Sequence, residues 1–157
     1  MSSQPNPSLQ RKTAARITAV QGLYRNSVGK EALSAAKLVS SLKSQLENNR
    51  DEQKLLVGAP IEPHYGLLEA ILNGVYGNHD EINLRINSVL NQGWTRERTG
   101  ALLIAILECA VFELFFYKEI SGKIVIDEYT RITRRFFSDA EVDFIYSALN
   151  TLQTQYG

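Results

Sequence analysis

The first thirty residues carry five cations, Arg11, Lys12, Arg16, Arg25 and Lys30, and no Asp or Glu. Gln21 and Tyr24 follow Arg11, Lys12 and Arg16 within one or two helical turns. Cations neutralise phosphates, and an aromatic ring offers an unpaired base a face to stack on, so this mixture suits single-stranded RNA. The same residues also fit a plainer arrangement, a solvated basic helix face with Tyr24 packed inward. Over the whole chain of 157 residues, 17 Lys+Arg balance 17 Asp+Glu. It is therefore the uneven distribution of charge, not its sum, that points to a polyanion. A second basic group, Arg131, Arg134 and Arg135, is spaced one helical turn apart. It either extends an anionic contact or forms a solvated helix face.

Residues for catalysis or metal binding are not grouped in this way. There is no G-x-G-x-x-G, no G-x-x-x-x-G-K and no H-E-x-x-H, so neither a nucleotide cofactor nor a metal is expected and the chain does not read as an enzyme. His64 stands at an expected helix start and His79 in a turn before another, positions that fit capping or surface roles. Glu108 and Glu113 are five residues apart on an expected helix and point to different faces, which argues against a paired-carboxylate site. Cys109 is the single cysteine and lies in an apolar run, where a buried, unreactive thiol is expected. The run from Ala101 to Tyr117 is interrupted by Glu108 and Glu113, so it reads as a core helix and not a membrane span. The opening MSSQPNPSLQRK lacks the apolar core of a signal peptide, leaving the cytoplasm as the expected compartment.

The elements that must position these residues are helical. Proline occurs only at positions 5, 7, 60 and 63, and apolar residues between them recur at helical spacing. The pattern predicts a first helix from about Ser8 to Asn26, with Ala14, Ile17, Val20 and Tyr24 on its inner stripe and Leu23 beside it. A second runs near Glu31 to Asn48, followed by a loop from Asn49 to Pro60, within which KLLV could extend a helix briefly. A third begins at Glu62-Pro63 and stops at Gly77. A fourth starts near Asp80 and ends by Gly93. The fifth, about Arg98 to Lys118, is apolar around most of its circumference and is expected at the centre. A sixth presents Val125, Tyr129, Ile132 and Phe136. A seventh opens on Ser138-Asp139-Ala140-Glu141, the spacing of a capping box. About seven helices and no strand pattern give an all-α bundle, with an N-terminal subdomain over about 8–77 and a C-terminal one over about 78–157.

The string ARITAVQGLY, Ala15 to Tyr24, resembles the N-terminal signature of the NusB family, in which an Ala-Arg pair leads into an A-V-Q-A-L-Y helix. A second block runs from Trp94 through Arg98, LLIAILECAVFEL, Lys123 and IVIDEY to FIYSALN, and it follows the family's order and spacing. The two blocks cover a little under half the chain, and their collinearity carries the resemblance. It implies an α-helical bacterial protein of two subdomains. With the ribosomal protein NusE, such a protein binds the boxA element of nascent RNA and helps RNA polymerase read through terminators, notably in ribosomal RNA operons. By matching positions, the RNA surface would include Arg11, Lys12, Arg16, Gln21 and Tyr24, with Lys123 and Phe144 on a second edge. The NusE surface would draw on the long fifth helix through Leu103, Leu107, Glu108 and Phe112. The chain departs from the family at Glu108, where arginine is usual, at Ser121 in place of proline, at Asp127 in place of asparagine, and at Tyr146-Ser147 in place of Asn-Gly. These departures keep open an alternative, a helical protein-interaction adaptor of the same fold whose RNA binding is lost or changed.

Overall fold

The computed structural model describes residues 6–57, 61–90 and 93–157. Among these residues the chain forms eight helices and no strand: α1 (Pro7–Val28), α2 (Ala35–Val57), α3 (Tyr65–Gly77), α4 (His79–Val89), α5 (Arg96–Thr99), α6 (Ala101–Phe115), α7 (Gly122–Phe136) and α8 (Asp139–Tyr156). The chain divides into two compact units, Met1–Asn73 and Gly74–Gly157, with the division inside α3. None of the described helices is long and apolar enough to cross a membrane.

In the first unit, α1 starts where the sequence is built to start a helix. The Asn6 side chain accepts from the Ser8 amide at 3.0 Å, and Pro7 takes the first position, where a missing N–H costs nothing. The helix ends against a side-chain bracket. Asn26 Oδ1 accepts from the Leu33 amide at 2.7 Å, and Asn26 Nδ2 donates to the Leu33 carbonyl at 3.0 Å, which closes the connection to α2. Ser34 Oγ then accepts from the Lys37 amide, so α2 starts four residues later than the pattern predicts. It also runs on to Val57, where a loop is expected. Glu, Gln, Arg, Lys and Leu all favour helix, and neither glycine nor proline interrupts the run before Gly58. The residues Gly58 to Pro60 of that expected loop lie outside the described residues. His64 caps α3, its Nδ1 accepting from the Leu67 amide at 3.0 Å, as its place at a helix start suggests. Its own amide donates to the Arg11 carbonyl at 2.9 Å, and Lys43 of α2 pairs with Glu69 of α3, so the three helices are tied by polar as well as apolar contacts.

The inner face of α1 differs from the predicted stripe. Ala15, Arg16, Ala19, Val20, Gly22 and Leu23 are buried, whereas Ala14 and Ile17 are half-buried and Tyr24 is exposed. The reason is close packing. A Cβ on Gly22 would lie 2.7 Å from Leu42 Cδ1, so the stripe of Ala15, Ala19 and Gly22 lets α2 approach more closely than larger side chains would allow.

In the second unit α6 is the central element and touches α4, α5, α7 and α8. It starts later than the pattern predicts, because the expected fifth helix is two helices. Thr95 caps α5 by accepting from the Arg98 amide, and the chain then breaks at Gly100, whose φ of 82° and ψ of 160° are open only to glycine without strain. Leu103, Ile106, Leu107, Cys109, Ala110 and Val111 of α6 are fully buried. Phe112 packs against the bare backbone of Gly74, where a Cβ would sit 1.9 Å from the ring. The two glutamates of α6 go to different neighbours, as their spacing requires. Glu113 accepts from the buried Tyr129 hydroxyl at 2.5 Å, while Glu108 meets α4. Burial, with Glu108 and Glu113 nearby, pushes the Cys109 thiol well above its usual range, so the thiolate is suppressed. At the start of α8, Glu141 reaches back to the Ser138 amide at 3.3 Å and to its hydroxyl at 3.2 Å, the glutamate half of the expected capping box.

Candidate nucleic-acid interface

The residues expected to meet RNA in the first unit separate by depth. Arg11 is exposed near the start of α1, Lys12 and Gln21 are half-buried, and Tyr24 is 38% exposed. Arg16, expected on the same edge, is only 3% exposed. Its position explains this, because Arg16, Ala19, Val20 and Leu23 recur at i, i+3, i+4 and i+7 and share the inner face. Adjacent residues on a helix diverge by about 100°, so Arg11 and Lys12 also leave the axis in different directions. The expected continuous edge of three cations is thus reduced to Arg11 with Lys12 beside it.

What remains accessible is a different stripe, of which the helical pattern places only Tyr24 on the inner side. Gln21, Tyr24, Arg25 and Val28 stand at i, i+3, i+4 and i+7, and Tyr24, Arg25 and Val28 are exposed. Arg25, not included in the expected RNA set, donates to Gln45 Oε1 of α2 at 3.2 Å, which holds its guanidinium beside Tyr24's turn of the helix. The signal that could have found it is the acid-free charge pattern itself, which counts Arg25 among its five cations.

In the second unit, Lys123 is exposed in the first turn of α7. Phe144 is 7% exposed, and its ring stacks on Trp94 with centroids 4.6 Å apart and planes 21° apart. One face of Phe144 is therefore already occupied, and Trp94, half-buried, is the more accessible ring of the pair. The α6 residues expected to face a protein partner are mostly core. Leu103 and Leu107 are fully buried and Phe112 is 5% exposed, since α6 is enclosed by the other helices of its unit. Only Glu108 among them reaches solvent in part. Burial pushes its carboxyl above the usual range, against the opposing effects of a hydrogen bond from Asn83 and the charges of His79 and Arg96. Arg96 is itself fixed by donating to Asn83 Oδ1 and Asn87 Oδ1, each at 2.9 Å, so Glu108 belongs to a polar cluster joining α4, α5 and α6.

Comparison with known proteins extends the likeness beyond these blocks. The chain is 30% identical over 151 residues to the transcription antitermination protein NusB of Maricaulis maris, covering 94% of this chain and 91% of that one. It is 29% identical over 147 residues to the protein of the same name from Sphingopyxis alaskensis, covering 94% and 95%. Its fold matches that of Thermotoga maritima NusB with a TM-score of 0.71 at 18% identity, over 98% of this chain and 94% of the other. The family model for NusB matches residues 13–153, which takes in the acid-free helix from Thr13 onward, the enclosed α6 and most of the capped α8. By this match, over almost the whole of its helical framework, the chain belongs to the NusB family.

Proposed function

We propose that this protein is a transcription antitermination factor that binds boxA-type single-stranded RNA together with ribosomal protein NusE, and so helps RNA polymerase pass terminators in ribosomal RNA operons. It acts by binding, in the cytoplasm, and carries out no reaction of its own. The observation that carries this reading is the outer side of α1, where Arg11, Gln21, Tyr24 and Arg25 reach solvent in a segment without a single carboxylate. Phosphates meet Arg11, Lys12 and Arg25, and the exposed Tyr24 ring takes a base. Arg16 supports the helix from beneath, and Trp94 with Phe144 behind it, together with Lys123, supplies further contacts. Of the residues assigned to NusE, Glu108 and its polar surroundings remain as the accessible part.

The test is a mobility shift with boxA RNA, with and without NusE, at two salt concentrations. If roughly three to five phosphates are engaged, the logarithm of affinity falls against log salt with a slope of roughly −2 to −3.5. A flat salt response removes the RNA reading. If NusE binds while boxA RNA is held no better than an unrelated oligonucleotide, the protein is an adaptor of the same fold.

A further inference from the structure

The arginines of α7 form a second basic group to which the proposed function gives no role. α7 is the most sharply two-faced helix of the second unit: Val125, Ile126, Glu128, Tyr129, Ile132 and Thr133 are buried, and the outer face carries Lys123, Arg131, Arg134 and Arg135. From Arg131 to Phe137 the sequence RITRRFF holds three arginines and no acid. We propose that Arg131, Arg134 and Arg135 form a second phosphate-binding surface, which holds the backbone of single-stranded RNA flanking the segment bound at α1.

Three observations carry the proposal. Arg131 stands one turn from both Arg134 and Arg135, at i, i+3 and i+4, with Cβ separations of about 5–6 Å, so it can share neighbouring phosphates with either of them, and like charges so placed disfavour the helix. Their ion pairs leave them available. The Arg134 guanidinium, 62% exposed, is 3.4 Å from the exposed Asp139, a solvent pair that contributes little and yields readily to a phosphate. The Arg131 guanidinium, 3.8 Å from the buried Glu128, is itself 66% exposed and has more N–H donors than that one contact can use. Arg135 is exposed as well. The half-buried rings of Phe136 and Phe137 directly follow the arginines, which adds stacking surface and favours RNA over an acidic protein segment.

This inference rests on the RNA reading of α1, and the experiment separates the two. Binding is measured, with NusE present, for a boxA core and for the same core flanked on both sides by unstructured RNA, across a salt series. The proteins compared are the parent chain, Arg131→Gln/Arg134→Gln/Arg135→Gln and Arg11→Gln/Lys12→Gln. The triple variant is expected to bind flanked RNA roughly tenfold more weakly at about 50 mM salt, with a salt slope shallower by roughly 2, and to bind the core unchanged. If removing Arg131 from above Glu128 disturbs folding, Arg134→Gln/Arg135→Gln keeps that pair, and its slope should still fall by roughly 1.4. Unchanged binding of flanked RNA, with loss in the α1 variant, overturns the α7 surface and leaves the α1 reading standing. A parent chain that binds neither RNA overturns both. If the triple variant loses affinity for polyglutamate, added as a probe for acidic protein segments, but none for flanked RNA, the arginines serve an acidic protein and the proposal is overturned.

Discussion

α1 and α6 both carry residues that the family resemblance marks for binding, yet they divide their surfaces in opposite ways. α6 buries eleven of its fifteen residues, so Leu103, Leu107 and Phe112 are committed to holding the second unit together. α1 buries only six of twenty-two, which leaves a charged and aromatic outer side free for a ligand. A helix apolar on all sides spends its side chains on packing, whereas one whose inner stripe is narrow and made of small residues keeps its larger ones for recognition. A position's match to a family's binding set therefore has to be read together with its depth.

The largest effect that would break this contrast is at Leu107. Leu107→Ala should cost about 2–5 kcal/mol in urea unfolding, the usual range for a fully buried leucine in an enclosed helix. A cost below about 0.5 kcal/mol would return Leu107 to the surface. Arg16→Ala comes next. It should lower stability by about 1–3 kcal/mol, because polar groups facing the buried guanidinium lose their partner and its stem loses packing. Weakened RNA binding with unchanged stability would restore Arg16 to the accessible edge.

Tyr24→Ala should reduce RNA affinity by about 1–3 kcal/mol, the worth of one stacked base, while the melting temperature stays nearly constant. Loss of the fold would place the ring in the core. The smallest effect concerns Glu108. Its folded carboxyl titrates above the ordinary value of 4.5, so as pH rises from there the unfolded chain gives up its proton first and stability falls. Relative to the parent, Glu108→Gln should therefore gain in thermal stability between about pH 4.5 and neutrality and show little difference below that window. A difference independent of pH would mean that solvent, not burial, sets the state of this carboxylate.

Much of the frame was legible in the sequence because it depends on local signals. The Ser138-to-Glu141 spacing, the glycine at position 77 and the apolar breadth of α6 each act within a turn or two of helix, and all appear where expected. What escaped depends on neighbours. The inner face of α1 was misplaced because two overlapping stripes fit helical spacing, and the choice between them was made by Leu42 of α2 packing against Gly22. That choice buried Arg16 and exposed Tyr24. The extension of α2 to Val57 was missed because the glycine and proline at positions 58 and 60 make the whole charged run read as a loop, although the residues before them favour helix. Phe144 matched the family by position, but its stacking on Trp94, fifty residues earlier in the chain, is a tertiary fact that spacing does not contain.

The break between α5 and α6 has a consequence for chemistry as well as for shape. Gly100 adopts a backbone geometry that is the mirror image of one ordinary L-residues prefer, and nothing lies within 4 Å of the place where its Cβ would be. Any genetically encoded substitute would thus be resisted by handedness alone, despite the open space. A D-alanine introduced there by chemical ligation would meet no such resistance from its backbone angles. It would narrow the unfolded ensemble relative to glycine.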